Sequence, residues 1–328
     1  MRDTGDILLS VKNLVVEYAS SEGPIRAVND VSFDLHKGEM LGLVGETGAG
    51  KTTIAKSILR LLPAYSGRIL GGEVLFKGQD ILTMSDAQLR RVRGAKISIM
   101  FSDPVAALNP TRTVGSQIAE VYMQHQQLST HQAKSKAAEM LELVGISADR
   151  LDEYPYQFST GMKQRVVIAM ALACDPDLLI ADEPTTSLDV TIQAQVLEVI
   201  EHLRAQKDTA MLLITHDLGI VAENCDRVAV VYAGEIVESG SIEEIFDDAQ
   251  HPFTLGLFAA HPSMSNEFKR LSPILGTSPD PLNMPEGCSF SPRCPYATAK
   301  CRRRQTLEMI WLGGTHYCRC RHVRSDAL

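Results

Sequence analysis

Apolar and polar residues alternate over residues 7 to 17, and Val31, Phe33 and Leu35 alternate with polar neighbours before the Lys37-Gly38 turn, so both segments predict β-strands. Glu39 to Val44 reads as a short apolar strand opening into a glycine-rich loop, and Thr52 to Leu62 as an apolar-periodic helix closed by Pro63. The alternation returns later. Leu178 to Ala181 predicts a buried strand, Val190 to Leu203 carries Ile192, Val196, Val199, Ile200 and Leu203 on one helical face, and Met211 to Ile214 predicts another strand. Strands alternating with helices imply a parallel sheet covered on both faces, an α/β class. Between Asp103 and Asp175 strand signals fade, and helical periodicity over Ala133 to Val144 and Gln164 to Cys174 predicts an inserted helical region. Ser241 and Glu244 form a capping box that opens a last short helix. Beyond Asp247 the composition shifts to Pro, Ser, Arg and Cys, so the expected division is a body over 1–247, with its helical part at about 103–175, and an extension over 248–328.

With 328 residues, 45% apolar and 22% charged, the chain has material for a large core and does not match the composition of disordered segments. Its longest apolar run, Val166 to Cys174, is at most half of the roughly 18 to 20 residues that span a bilayer. The opening Met-Arg-Asp-Thr-Gly-Asp places acid before a short apolar run, unlike a signal peptide, so the cytoplasm is the expected compartment. A net charge of −8 argues against a general nucleic-acid binder. The average hides an asymmetry: from Cys288 to Leu328 eight Lys and Arg face Glu308 and Asp326, so this tail is +6 and the rest carries −14. Five of the seven cysteines, Cys288, Cys294, Cys301, Cys318 and Cys320, also lie in the tail. In a reducing compartment such clustering suggests a metal before a disulfide.

Gly45-Glu46-Thr47-Gly48-Ala49-Gly50-Lys51-Thr52, followed by Thr53, fits G-x-x-x-x-G-K-[ST] between a strand and a helix. Glycines let successive backbone N–H groups curl around phosphates while the helix macrodipole favours their charge. Lys51 is expected at the β and γ phosphates, and the Thr52 hydroxyl on Mg²⁺. Asp182 and Glu183 end a buried strand, which suits Asp182 for the same metal and Glu183 for polarising the attacking water. His216, after the strand Met211 to Thr215, is a candidate γ-phosphate contact, although a lone histidine at a strand end is more often structural.

In order and approximate spacing these residues resemble ATP-binding-cassette ATPases, in particular the ATP-binding subunits of dipeptide and oligopeptide importers. The resemblance rests on the phosphate loop, Asp182-Glu183, Ser187-Leu188-Asp189, His216 and the segment Phe158-Ser159-Thr160-Gly161-Met162, similar to the family signature. It continues through His251-Pro-Phe-Thr and Arg293-Cys-Pro-Tyr-Ala. It implies a P-loop cassette with a RecA-like parallel core, an antiparallel β subdomain and the helical insertion. It further implies that Tyr18 stacks on adenine and that each ATP is sandwiched between one subunit's loop and the other's Ser159 and Gly161. The implied partners are a second ATPase subunit, usually a different chain, two membrane-embedded permeases and an extracytoplasmic solute-binding protein, with this chain peripheral on the cytoplasmic face of the membrane. The rival classes are a soluble cassette ATPase acting on nucleic acid or ribosomes, and a regulatory subunit that binds ATP without useful hydrolysis.

Two positions depart from the family pattern. Ser102 stands where the family has a glutamine touching Mg²⁺ or water, and a serine cannot span the same gap without a bridging water. Thr160 replaces the first signature glycine, and its β-branched side chain is expected to restrict the backbone and crowd the partner's γ-phosphate. In the tail, Cys288, Cys294, Cys301 and Cys320 form a four-thiol set suited to Zn²⁺ or an iron–sulfur cluster. The family resemblance implies a [4Fe–4S] cluster there, with His316 selecting Cys320 over Cys318. The basic residues fit its negative charge, zinc and unliganded thiols being the alternatives.

Overall fold

The computed structural model describes residues 6–186, 188–260, 273–304 and 307–322; Ser187 of the candidate site lies outside them. Its strands are β1 (Ile7–Ser20), β2 (Gly23–His36), β3 (Met40–Val44), β4 (Gly67–Phe76), β5 (Gln79–Asp80), β6 (Ile97–Met100), β7 (Leu178–Asp182), β8 (Ala210–Ile214), β9 (Arg227–Tyr232), β10 (Glu235–Ser241), β11 (Ile310–Gly313) and β12 (His316–Cys318). Its helices are α1 (Lys51–Ile58), α2 (Asp86–Val92), α3 (Pro104–Ala107), α4 (Val114–Gln126), α5 (Thr130–Leu143), α6 (Thr160–Leu172), α7 (Val190–Lys207), α8 (Leu218–Asn224), α9 (Ile242–Asp247) and α10 (Pro252–Ala259). The chain forms two compact units, one chiefly Thr83–Leu212, the other Ile7–Leu35, Met40–Leu82 and Leu213–Leu328.

In the first unit β6 and β7 run parallel, Ile97 opposite Leu178 and Met100 opposite Ala181. Every residue of β7 is buried, which accounts for its unbroken apolar run. Between β6 and β7 the chain carries α3, α4, α5 and α6. Thr113 caps α4, and a capping box between Ser129 and Gln132 starts α5. Ile118, Ala133, Ala137 and Leu141 carry the apolar stripe inward and are fully buried.

In the second unit one sheet has the order β2-β1-β4-β5, with β1–β4 and β4–β5 antiparallel. In the other, β3 pairs in parallel with β9, β9 with β10 antiparallel, and β12 adds to β10 with β11 outside it. The two-residue β9–β10 turn, Ala233-Gly234, has positive φ at both positions, the geometry that matches strand twist in a tight hairpin. Tyr232, Phe253 and Phe290 pack with ring centroids 4.5 to 5.5 Å apart, so residues from β9, α10 and the tail share one core.

The helix after the phosphate loop ends at Ile58 rather than at the expected Leu62. Arg60 takes the left-handed conformation (φ 52°), and Leu61 N–H donates to the Lys56 carbonyl at 2.7 Å, a Schellman closure that stops the helix before Pro63 can. Among the described residues no helix is long and apolar enough to cross a membrane.

Candidate functional site

β3 is buried throughout and delivers the chain to Gly45, whose φ is 150°. A Cβ there would fall 2.1 Å from the Val231 carbonyl oxygen, so the backbone approach leaves no room for a side chain. Gly50 (φ 105°) is the N-cap of α1 and makes no side-chain capping bond, and no acid stands in the first turn. The positive end of the helix therefore meets the loop with no capping side chain and no carboxylate beside it, an anion-binding arrangement. Lys51 is 5% exposed, and its Nζ donates to the carbonyls of Gly45 (2.8 Å) and Glu46 (3.0 Å). A phosphate would offer this buried ammonium a full negative charge, a stronger acceptor than a neutral carbonyl.

Around this loop Thr47, Gly48 and Thr52 are exposed and Ala49 is buried. Tyr18 Oη stands 3.4 Å from Thr53 Oγ1, which ties β1 to the first turn of α1. Thr215 N–H donates to the Leu43 carbonyl at 3.4 Å, and His216 follows it, exposed.

The other candidate residues belong to the first unit. Asp182 ends β7 at 4% exposure. Glu183 holds a left-handed backbone (φ 51°), a conformation that costs a non-glycine residue about 1 to 3 kcal/mol and must be held by its surroundings. Its Oε2 accepts from Thr186 Oγ1 at 3.0 Å, and buried Gln164 donates Nε2 to the Pro184 carbonyl at 2.7 Å. Ser159 caps α6, accepting from Met162 N–H at 3.3 Å. Arg150 braces this segment, its guanidinium 4.3 Å from the Phe158 ring centre and bonded to the Gln157 carbonyl (3.1 Å) and Met162 Sδ (3.3 Å).

Thr160 is the first residue of α6, exposed and absent from the residues with positive φ. Its backbone is right-handed helical, a region open to a β-branched residue without the strain that a positive φ would impose. At Gly161 a Cβ would lie 2.6 Å from Ile192 Cγ2, so α7 packing itself favours the missing side chain. Ser102 is half-buried beyond β6, and Asp103 caps α3 through Val105 and Ala106 N–H at 2.8 and 3.2 Å. Leu188 N–H donates to the Thr185 carbonyl at 3.1 Å, and Asp189 caps α7 through Ile192 N–H at 3.0 Å. Gln164 and Arg150 are supports that motif reading missed; the only sequence signal was a lone amide heading an apolar helix.

In the tail, Cys288, Cys294, Cys301 and Cys320 border one small cavity together with His251, Phe290 and His322. All are free thiols. Burial pushes the Cys288 thiol up to about 11 and raises Cys294 and Cys320 as well. Cys318 instead lies opposite Glu238 in the β10–β12 pair. Among the described residues no group of three or more His, Cys, Asp or Glu stands as a holder for a metal ion. The tail's charge is partly spent on the same unit's acids, since Arg319 lies 3.9 Å from both Asp30 and Glu235, and Arg293 pairs with Glu46.

A buried strand, a glycine turn around a buried lysine and an uncapped helix start define a P-loop nucleotide-binding protein of the α/β class. The family description "ABC transporter" matches residues 28–186, and "Oligopeptide/dipeptide transporter, C-terminal region" matches residues 237–301. The chain is 50% identical over 298 residues to the dipeptide transport ATP-binding protein DppD of Bacillus subtilis, covering 90% of this chain and 89% of that one. It is 47% identical over 323 residues to the oligopeptide transport ATP-binding protein OppD of the same organism, covering 98% and 90%. Among solved structures, cbiO1 of Clostridium perfringens, part of the ABC transporter complex cbiONQ, superposes with a TM-score of 0.64 at 26% identity, covering 74% of this chain and 92% of that one. The ATP-binding cassette MJ0796, bound to ADP and phosphate, shares the fold with a TM-score of 0.64 at 24% identity, covering 71% and 98%. The chain belongs to the ABC-transporter ATP-binding family, in its dipeptide and oligopeptide branch.

Proposed function

We propose that this protein is the ATP-hydrolysing subunit that energises import of peptides through separate permease subunits. The observation that carries the reading is the glycine loop drawn round Lys51, in a chain similar over nearly its whole length to dipeptide and oligopeptide transport ATP-binding proteins. In this reading the loop from Gly45 to Thr53 and Lys51 hold the phosphates, Tyr18 meets the adenine, and Thr52 and Asp182 take the Mg²⁺. Bound there, the cation would offset phosphate charge. Glu183 orients and deprotonates the attacking water, with His216 at the γ-phosphate. Ser159, Thr160, Gly161 and Met162 serve the nucleotide of a second ATPase subunit, and Ser187, Leu188 and Asp189 line that dimer contact. A solute-binding protein delivers the peptide from outside, and the chain works on the cytoplasmic face. Residues 1–247 form the cassette and 248–328 the extension.

We further propose that Cys288, Cys294, Cys301 and Cys320 hold a [4Fe–4S] cluster. What supports this reading is that four free thiols border one cavity, a donor set of the kind that holds iron–sulfur clusters. Anaerobic purification with iron and acid-labile sulfide assays tests this; zinc without sulfide refutes it.

The main reading is tested by titrating Mg-ATP into the full chain and by measuring peptide uptake and ATP turnover in the assembly with its permeases. Glu183→Gln is expected to retain nucleotide binding while turnover falls by about 10²- to 10⁴-fold. Absence of binding by the folded parent, or undiminished turnover in the variant, overturns it.

A further inference from the structure

Glu46, the second residue of the phosphate loop, is held from the far end of the chain. Arg293 Nη1 donates to its Oε2 at 2.8 Å and Nη2 to its Oε1 at 3.0 Å, while Ser278 Oγ donates to Oε2 at 2.7 Å. This paired geometry fixes direction as well as distance, which a lysine cannot do. The arginine is itself constrained: its side chain is 6% exposed, and its guanidinium lies 5.8 and 5.9 Å from the ring centres of Tyr232 and Phe290. It also donates Nε to the Leu275 carbonyl (3.1 Å) and Nη2 to that of Ile274 (3.4 Å). Burial works to raise the Glu46 carboxyl, but the bonds from Arg293 and Ser278 and the charges of Arg293 and Lys51 outweigh it and hold the group below its usual range.

What this clamp fixes is chemically relevant. The Glu46 carbonyl accepts from Lys51 Nζ at 3.0 Å, so the residue gripped by Arg293 through its side chain grips the phosphate-binding ammonium through its backbone. Moving Glu46 moves both the path of the loop N–H groups and the resting place of Lys51. We propose that Arg293 is a positioning residue for nucleotide binding, acting through Glu46 to preset the phosphate loop. The inference rests on reading Gly45 to Thr53 as the nucleotide site.

The test measures Mg-ATP affinity of the full chain by titration calorimetry for the parent, Arg293→Ala, Arg293→Lys, Glu46→Ala and the double alanine variant, with thermal unfolding recorded for each. Arg293→Ala is expected to weaken binding about 3- to 30-fold, the range of couplings carried by residues that do not touch the ligand. Arg293→Lys is expected to recover part of that loss, and the double variant to bind no more weakly than Arg293→Ala, because both changes delete one contact. A merely structural arginine would lower the unfolding temperature and leave affinity within twofold, which overturns the proposal, as do fully multiplicative losses in the double variant. If Arg293→Ala does not fold, Glu46→Gln keeps the side-chain shape and breaks the charge pair, and unchanged affinity there is equally fatal. Lys51→Ala separates the two readings: if that variant binds Mg-ATP like the parent, the nucleotide-site assignment itself fails.

Discussion

Replacing Gln164 by leucine tests how the first unit holds Glu183. Gln164 is 1% exposed, and its amide donates to the Pro184 carbonyl at 2.7 Å, next to a glutamate whose φ is 51°. Leucine fills a similar volume, so the change removes the bond and leaves a buried carbonyl unpaired, at a cost of about 1 to 3 kcal/mol. For a folded unit of this size each kcal/mol lowers the unfolding midpoint by about 2 to 4 °C, so a drop of several degrees is expected. The same bond fixes the turn that keeps Glu183 in its left-handed conformation. Once it is lost the carboxylate drifts, and misplacement on the order of 1 Å costs about 10-fold or more in rate. Calorimetric unfolding, ATP turnover of the assembled transporter and Mg-ATP affinity are the three measurements. Turnover should fall while affinity stays within about twofold, because Gln164 supports the hydrolytic turn and not the phosphate loop. Undiminished turnover at lowered stability would refute the link to Glu183, and an unchanged midpoint would refute the buried bond itself.

Gly45→Ala is expected to abolish Mg-ATP binding in the calorimeter, since the new methyl would fall 2.1 Å from the Val231 carbonyl oxygen. Ser102→Gln should raise turnover severalfold by reaching where serine falls short, whereas Thr160→Gly should change it little, because Thr160 is exposed in unstrained helical backbone; steady-state ATPase assays of the assembly decide both. Burial works to raise the Glu238 carboxyl, yet bonds from His316 (2.9 Å), Gln250 N–H (2.6 Å) and His251 N–H (3.1 Å) hold it below its usual 4.5. Below pH 4.5 the unfolded chain takes up a proton that the folded carboxylate refuses, so this stabilisation is complete above 4.5 and is lost as pH falls towards the depressed value. Denaturant midpoints across pH 3 to 7 should fall on that limb, and Glu238→Gln should flatten it while lowering the neutral midpoint.

The elements that periodicity predicts are those whose faces are simple. The fully buried β7 and β8 and the striped α5 and α7 declare themselves because burial is complete or one-sided. The hairpin of β9 and β10 escaped because its turn is Ala233-Gly234, without the Asn-Gly or Asp-Gly signal, and β12 is too short to show a period. The phosphate loop was legible since its chemistry is packed into nine consecutive residues. Its support was not: Glu46 and Arg293 lie 247 residues apart, and nothing local to either announces the other. The tail's basic excess, taken as a counterweight to a cluster, is in part turned towards Glu46, Asp30 and Glu235.

The pairing of β12 with β10 makes the tail the outer guard of a sheet. Glu238 of β10 is fully buried and meets His316 of β12 at 2.9 Å, with Cys318 opposite it in register. Cutting the chain after Asp247 would strip a row of backbone donors and acceptors bare and leave a buried carboxylate without its imidazole partner. Such an unsheltered margin recruits neighbouring strands, so a shortened cassette should clump where the whole chain stays dispersed.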